Sequence, residues 1–330
     1  MNQTSPANPV HAAPNARALD VVTIGEAMIL FIAAQPGALS QVASFKRATA
    51  GAELNVAVGL ARLGLRVGYI SRVGQDSFGE HLLAFMAREG IDCSHVAVDA
   101  AHPSGFMLKS LAGAGFDPQI EYFRKGSAAS HMGPHDEPLA YASAARHLHV
   151  TGICPALSPA LRELVFELAR QARAQGRSVS FDPNLRPRLW PSQQAMIDCL
   201  NELAAHADLV LPGLVEGQLL SGRADAEGIA EFYLARGAKQ VIVKLGEQGA
   251  YFADGRSSGI APPFAVAKVV DTVGAGDGFA VGAISALLEG LPLHEAARRG
   301  NAIGARVVQF PGDSDGLPNR EQLAKALATA

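Results

Sequence analysis

Residues 271–282 read DTVGAGDGFAVG, with glycines at 274, 276, 278 and 282, acids at 271 and 277, and helix-spaced apolar residues (Phe279, Ala283, Ala286, Leu287) following the turn. The preceding run FAVAKVV (264–270) has strand character, so a strand-to-helix turn is expected here. Such a turn aims backbone N–H groups outward at a helix N-terminus, which makes an anion site. Gly274 and Gly276 let a phosphate approach the main chain. Asp277 stands where many phosphate loops carry a lysine, and the helix dipole is expected to keep it ionised at neutral pH. Two chemistries are open to it. It could serve only as an N-cap. Alternatively, it could take the proton of a substrate hydroxyl while the N–H groups of 274–277 neutralise a phosphoryl group in transfer.

Other chemistries lack their residues. No GxxxxGK[ST] is present, and IGEAM follows the first strand in place of a GxGxxG, so neither a Walker-type NTPase nor a dinucleotide fold is supported. His147 and His149 alternate in HLHV without a third metal ligand at suitable spacing, so they read as structural. The basic run RRGN (298–301) is too short for nucleic acid, and a formal net charge of -3 gives no broad basic surface. Cys93, Cys154 and Cys199 are odd in number and far apart, as free thiols in a reducing cytosol would be, so a cytoplasmic location is expected. No apolar stretch approaches the roughly 20 residues that span a bilayer.

The 330 residues allow one large α/β domain, and 48% hydrophobic content supplies a sizeable core. β-branched runs at 21–25, 67–74, 147–152, 178–182, 208–212 and 240–246 alternate with helical patterns that stop at Gly64, Gly176 and Gly237. That rhythm predicts right-handed βαβ crossovers and a mostly parallel sheet flanked by helices. Residues 28–49 and 104–126 read as strand and turn without helix and are assigned to a small β-sheet, a lid on the domain spanning 19–330. Residues 1–18, rich in Ala, Pro and Asn, read as a disordered tail without the apolar segment of a signal peptide.

Two long segments, DTVGAGDGFAVG and AGAELNVAVGLARLGLRVGYISRVGQDSFGEHL (50–82), resemble the C- and N-terminal signatures of the ribokinase-like (PfkB-type) carbohydrate kinases. The resemblance runs from about residue 20 to the C-terminus. It implies a Rossmann-type sandwich, ATP with Mg²⁺ as donor, Asp277 as base, and Gly274, Ala275 and Gly276 as the γ-phosphate anion hole. It implies Gly51 and Asn55 in the sugar site. Lys244, Gly246 and Gly249 of KLGEQGA, with Asn301, would lie along the nucleotide, and Asp271 and Thr272 would hold a monovalent cation such as K⁺. In GLVE, Glu216 is retained to organise Mg²⁺ through water, whereas Gly213 replaces the family's Asn or Ser. Modestly altered nucleotide or metal handling is expected from that change.

The choice of sugar turns on IEYFRKGSAAS (120–130). In a strand, Tyr122 and Arg124 share a face and could present a hydroxyl and a guanidinium to one ligand; a solvated arginine beside a packed tyrosine is the alternative. YFRKGSAAS, FDPNLRPRLW and FPGDSDGLP resemble the branch of the family that phosphorylates 2-keto-3-deoxygluconate. That resemblance implies Tyr122, Arg124, Arg186 and Asp313 around substrate; Met107 departs from a tyrosine found in some members. The expected reaction is ATP-dependent phosphorylation of 2-keto-3-deoxy-D-gluconate to its 6-phosphate, with a fructokinase or ribokinase as the enzymatic alternative and a non-catalytic sugar sensor as the remote one. A homo-oligomer through the lid sheet is expected.

Overall fold

The β-branched runs become strands covered on both faces: most are apolar, and in HLHVT and SVSFD the buried polar residues bond one another, His147 and His149 to Ser178 and Ser180. A computed structural model describes residues 19–111, 118–134 and 138–328. The tail assigned to 1–18 lies outside the described residues, as does 112–117 of the second irregular stretch. In chain order the strands are β1 (Val21–Ile24), β2 (Met28–Ala33), β3 (Phe45–Ala50), β4 (Val67–Gly74), β5 (Asp92–Asp99), β6 (Phe106–Lys109), β7 (Ile120–Phe123), β8 (His147–Thr151), β9 (Ser178–Asp182), β10 (Leu209–Val210), β11 (Gln240–Lys244), β12 (Ala250–Ala253) and β13 (Ser258–Ala261). The helices are α1 (Ala52–Arg62), α2 (Ser77–Arg88), α3 (Leu139–Ser143), α4 (Cys154–Leu157), α5 (Pro159–Ala174), α6 (Gln193–Ala204), α7 (Leu214–Ser221), α8 (Ala226–Leu234), α9 (Ala275–Leu288), α10 (Leu293–Val307) and α11 (Arg320–Ala328).

Among the described residues the main sheet runs β13-β12-β11-β10-β9-β8-β1-β4-β5. It is parallel from β11 to β5, and β12 and β13 add an antiparallel edge. The chain winds outward in both directions from β1, so a crevice opens at the carboxyl ends of the central strands. One apolar core lies on each face. On one of them α5 starts where Ser158 Oγ accepts from the Leu161 N–H (3.2 Å) and Pro159 takes the first position; Leu161, Leu164, Val165 and Leu168 are buried along it. Each such leucine stabilises the fold by roughly 1.5–3 kcal/mol.

On the opposite face α9 is buried almost all round, between α1 and α10. Its packing depends on small residues: Gly282 lies against the main chain of Arg299 and Gly300, and Gly59 of α1 lies against Val281. This close approach holds the start of α9 at the crevice. The segment 264–270 before it is not a strand, contrary to its composition. It follows Pro262 and Pro263 at the sheet edge, Val269 is exposed, and its main-chain hydrogen bonding among the described residues comes at its end, where the Val270 N–H and the neighbouring Asp271 N–H donate to the Val308 carbonyl (2.8 and 3.2 Å).

The second sheet has the order β3-β2-β6-β7. The β2–β3 and β6–β7 pairs are antiparallel and β2–β6 is parallel. It leaves the main sheet directly after β1 and stands over the crevice. Met28, Leu30, Ile32, Ala50 and Met107 form its own small core, while Phe31, Phe78 and Phe106 pack edge-to-face (5.8–6.1 Å) on its other side.

Candidate active site

Gly274 is the N-cap of α9 with φ +83, a left-handed conformation that a glycine adopts without strain, and a Cβ there would overlap the Asp313 carbonyl oxygen. Gly278 N–H donates to the Gly274 carbonyl (2.8 Å), and Ala275 N–H reaches the Thr272 carbonyl (3.4 Å). The N–H groups of Gly276 and Asp277 have no main-chain acceptor among the described residues, which leaves them to receive an anion at the helix N-terminus. Gly274 and Gly276 line a cavity of about 570 Å³ between the two sheets, and so does Asp277.

Asp277 is the third residue of α9, not its cap. Asn55 Nδ2 donates to one carboxyl oxygen (2.8 Å) and Asn184 Nδ2 approaches the other (3.4 Å). The dipole does not keep this acid in its ordinary range: burial, opposed by the Asn55 hydrogen bond and reinforced by Asp182 and Asp313, raises its pKa to about 7. A carboxyl poised there suits a proton acceptor working near neutrality, and an N-cap has no use for it. Asn184, which sequence reasoning passed over within FDPNLRPRLW, is the one non-glycine residue with positive φ (41°) among the described residues. Held strain of this kind accompanies functional sites.

The carboxyl ends of the central strands supply the next layer. Lys244 at the end of β11 donates to Asp182 at the end of β9 (2.7 Å), and burial, which would lower its pKa, is overcome by Asp182 and Glu216. Glu216 accepts from the Gly213 N–H (2.8 Å) and the Leu185 N–H (2.9 Å), so its carboxylate is held by backbone even without the side chain missing at 213. Arg186 also lines the cavity, with Nη1 on the Leu185 carbonyl (2.9 Å). Gly246, Gly249 and Asn301 lie outside the cavity lining. Gly249 (φ +90) shapes the turn into β12, and the Asn301 amide donates to the carbonyls of Ala261 and Pro262 (3.0 and 2.9 Å), so it secures the end of β13 and has no free N–H for a ligand.

On the side of the second sheet, Gly51, Asn55, Tyr122 and Arg124 line the same cavity. Arg124 falls just after β7 and not within it, and it is no solvated arginine: it is buried and ion-paired with Glu26 through Nε (2.6 Å) and Nη2. Its Nη1 bonds no protein acceptor among the described residues. Tyr122 remains half exposed, with the guanidinium 5.8 Å from its ring centroid. Thr272 and Asp313 also line the cavity. Asp271, through which the resemblance implied a monovalent cation, carries the ammonium of Lys109, which also bonds Asp313 (2.9 Å). His147 and His149 are buried on serine hydroxyls, with pKa values lowered by burial to about 4 and 3, in keeping with a structural role.

A pfkB family carbohydrate kinase model matches residues 18–320. The chain belongs to that family. It is 50% identical over 311 residues to a 2-dehydro-3-deoxygluconokinase of Bacillus subtilis (strain 168), covering 94% of this chain and 96% of that one. A PfkB protein from Polaromonas sp. JS666 superposes with a TM-score of 0.86 at 53% identity, over 94% of this chain and all (100%) of the other. A putative ribokinase II of E. coli, solved with ATP and Mg²⁺, gives a TM-score of 0.86 at 26% identity, over 94% and 100% of the two chains. A pfkB kinase must hold a phosphoryl donor and a sugar hydroxyl together. Here the anion turn and Asp277 face one cavity, which the main sheet walls on one side and the second sheet on the other.

Proposed function

We propose that the chain transfers the γ-phosphoryl group of ATP to the terminal hydroxyl of 2-keto-3-deoxy-D-gluconate, giving the 6-phosphate and ADP. The supporting observation is a cavity that has Asp277 and the anion turn on one wall and the buried Arg124 and Tyr122 on the other. Glu26 holds Nε and Nη2 of Arg124, and the remaining Nη1 can give a charge-assisted hydrogen bond to the carboxylate of a sugar acid, a stronger bond than a neutral sugar's hydroxyl accepts. The name of the Bacillus subtilis relative agrees with that chemistry.

In this reading Asp277 accepts the hydroxyl proton as the oxygen bonds to phosphorus and the bond from phosphorus to the bridging oxygen of ADP breaks. The N–H groups at the start of α9 hold the phosphoryl oxygens, and Arg124 orients the carboxylate. Asp182 and Glu216 on the cavity wall fit a magnesium site. Mg²⁺ takes one or two carboxylates and fills its other positions with phosphate oxygens and water, and no group of three or more acidic, His or Cys ligands occurs among the described residues. When bound, Mg²⁺ supplies charge neutralisation on the phosphates. The second sheet serves as the lid that excludes water during transfer. Its edge strand β7 exposes Tyr122 and Phe123, which suits pairing with a second copy. No described helix is long and apolar enough to cross a membrane.

Steady-state kinase assays across sugars test the reading. We expect kcat/KM for 2-keto-3-deoxygluconate to exceed that for fructose and ribose by about 10²-fold or more, the discrimination available when a buried polar group is left unpaired. Faster turnover of fructose or ribose at equal concentration would overturn it.

A further inference from the structure

Lys109 is the last residue of β6 and shares the cavity-side face of that strand with Met107. It is 1% exposed, unusual for a lysine, and its ammonium meets two carboxylates that are themselves buried, Asp271 and Asp313. Burial alone would depress its pKa; Asp313 and Asp271 outweigh that and hold it protonated.

Each carboxylate leads on to the anion turn. Asp271 accepts from the Val273 N–H through Oδ1 (3.0 Å), which bends the chain just ahead of Gly274. Asp313 places its main-chain carbonyl where a Gly274 side chain would be, so its position sets the floor under the turn. A single ammonium on the lid sheet therefore ties together the two segments that flank residues 274–277. We propose that Lys109 is a positioning residue for phosphoryl transfer, its ammonium acting as the resident cation that locks the anion turn to the lid sheet. The inference rests on the kinase reading but not on the identity of the sugar. It needs no contact between Lys109 and substrate. Misplacing transition-state donors by about 1 Å costs on the order of 10²-fold in rate.

The test is Lys109→Ala in the full chain, assayed with its best sugar at saturation while ATP is varied, with folding at the assay temperature checked by circular dichroism. The expected result is a kcat lower by about 10²-fold with KM for ATP changed less than about threefold, because the donors act mainly in the transition state. Methylammonium or ethylammonium should restore kcat at least about tenfold and saturably, by refilling the space between the two acids. A merely structural lysine would give no saturable recovery in a protein that is already folded. If Lys109→Ala does not fold, Lys109→Met combined with Asp271→Asn removes the ammonium and one of its two acids, leaving Asp313 as a single buried carboxyl that can take up a proton, and should fold while still losing more than about tenfold in kcat. A folded variant of either kind whose kcat stays within about twofold of wild type overturns the proposal, as does a folded Lys109→Ala that no amine rescues. Failure of the kinase reading looks different: wild type would then phosphorylate no sugar at all.

Discussion

Replacing Asp277 by Asn should remove activity and stabilise the protein at once, with a pH dependence that identifies the group. The folded-state pKa is raised from 3.8 to about 7, chiefly by burial. The folded state therefore binds a proton more tightly than the unfolded chain between those values, and the group's favourable contribution is present at low pH and lost as pH rises through the window. Above pH 7 the ionised side chain carries the full penalty, on the order of 4 kcal/mol. The asparagine amide is neutral throughout and can keep a hydrogen bond to Asn55, so the variant's gain in thermal midpoint should be small at about pH 5 and several degrees at about pH 8. Its kcat should fall by about 10²- to 10⁴-fold, the usual contribution of a general base. In wild type, kcat/KM should fall about tenfold per pH unit below about 7, because that ratio reports the free enzyme's essential groups. Paired calorimetry and steady-state kinetics from about pH 5 to 8.5 make the measurement. A stability gap that does not change with pH, or a rate loss under about tenfold, refutes the assignment of Asp277 as a buried base.

Gly274→Ala should fold with a loss of a few kcal/mol, since αL strain adds to the overlap with the Asp313 carbonyl, and kcat should drop by about 10²-fold; chemical denaturation and kinase assays read the two effects. Lys244→Met leaves Asp182 buried without its ion-pair partner, so urea unfolding should show a loss of about 3–5 kcal/mol at neutral pH that shrinks as Asp182 protonates at acid pH.

Much of this molecule is legible in its residues taken locally. Strand and helix periods, the Ser158–Pro159 cap and the glycine stops mark out the elements of a parallel α/β sheet, because these features act within a few residues of one another. Where the composition of 264–270 misleads, the reason is tertiary: a β-branched run becomes a strand only if a sheet edge accepts it, and this one follows the prolines that leave β13. Placement of Asp277, Asn55 and the turn glycines at one site likewise follows from their types and their resemblance to family signatures.

Other features depend on the third dimension. A helix dipole is a local property and predicts an ionised Asp277, but the pKa of this acid is governed by burial and by Asp182 and Asp313, which lie far off in sequence. Arg124 attracts notice by its charge, and only the fold shows Glu26 already holding two of its nitrogens. Lys109 carries no mark in the short strand FMLK beyond the alternation that puts it on Met107's face; no local signal shows that its ammonium will end beside Asp271 and Asp313. By itself, the sequence determined the elements, the turn and the family of chemistry, since those depend on residue type and spacing. Only the tertiary structure decided protonation and ion pairing, because both depend on what lies within a few ångströms once water has been removed.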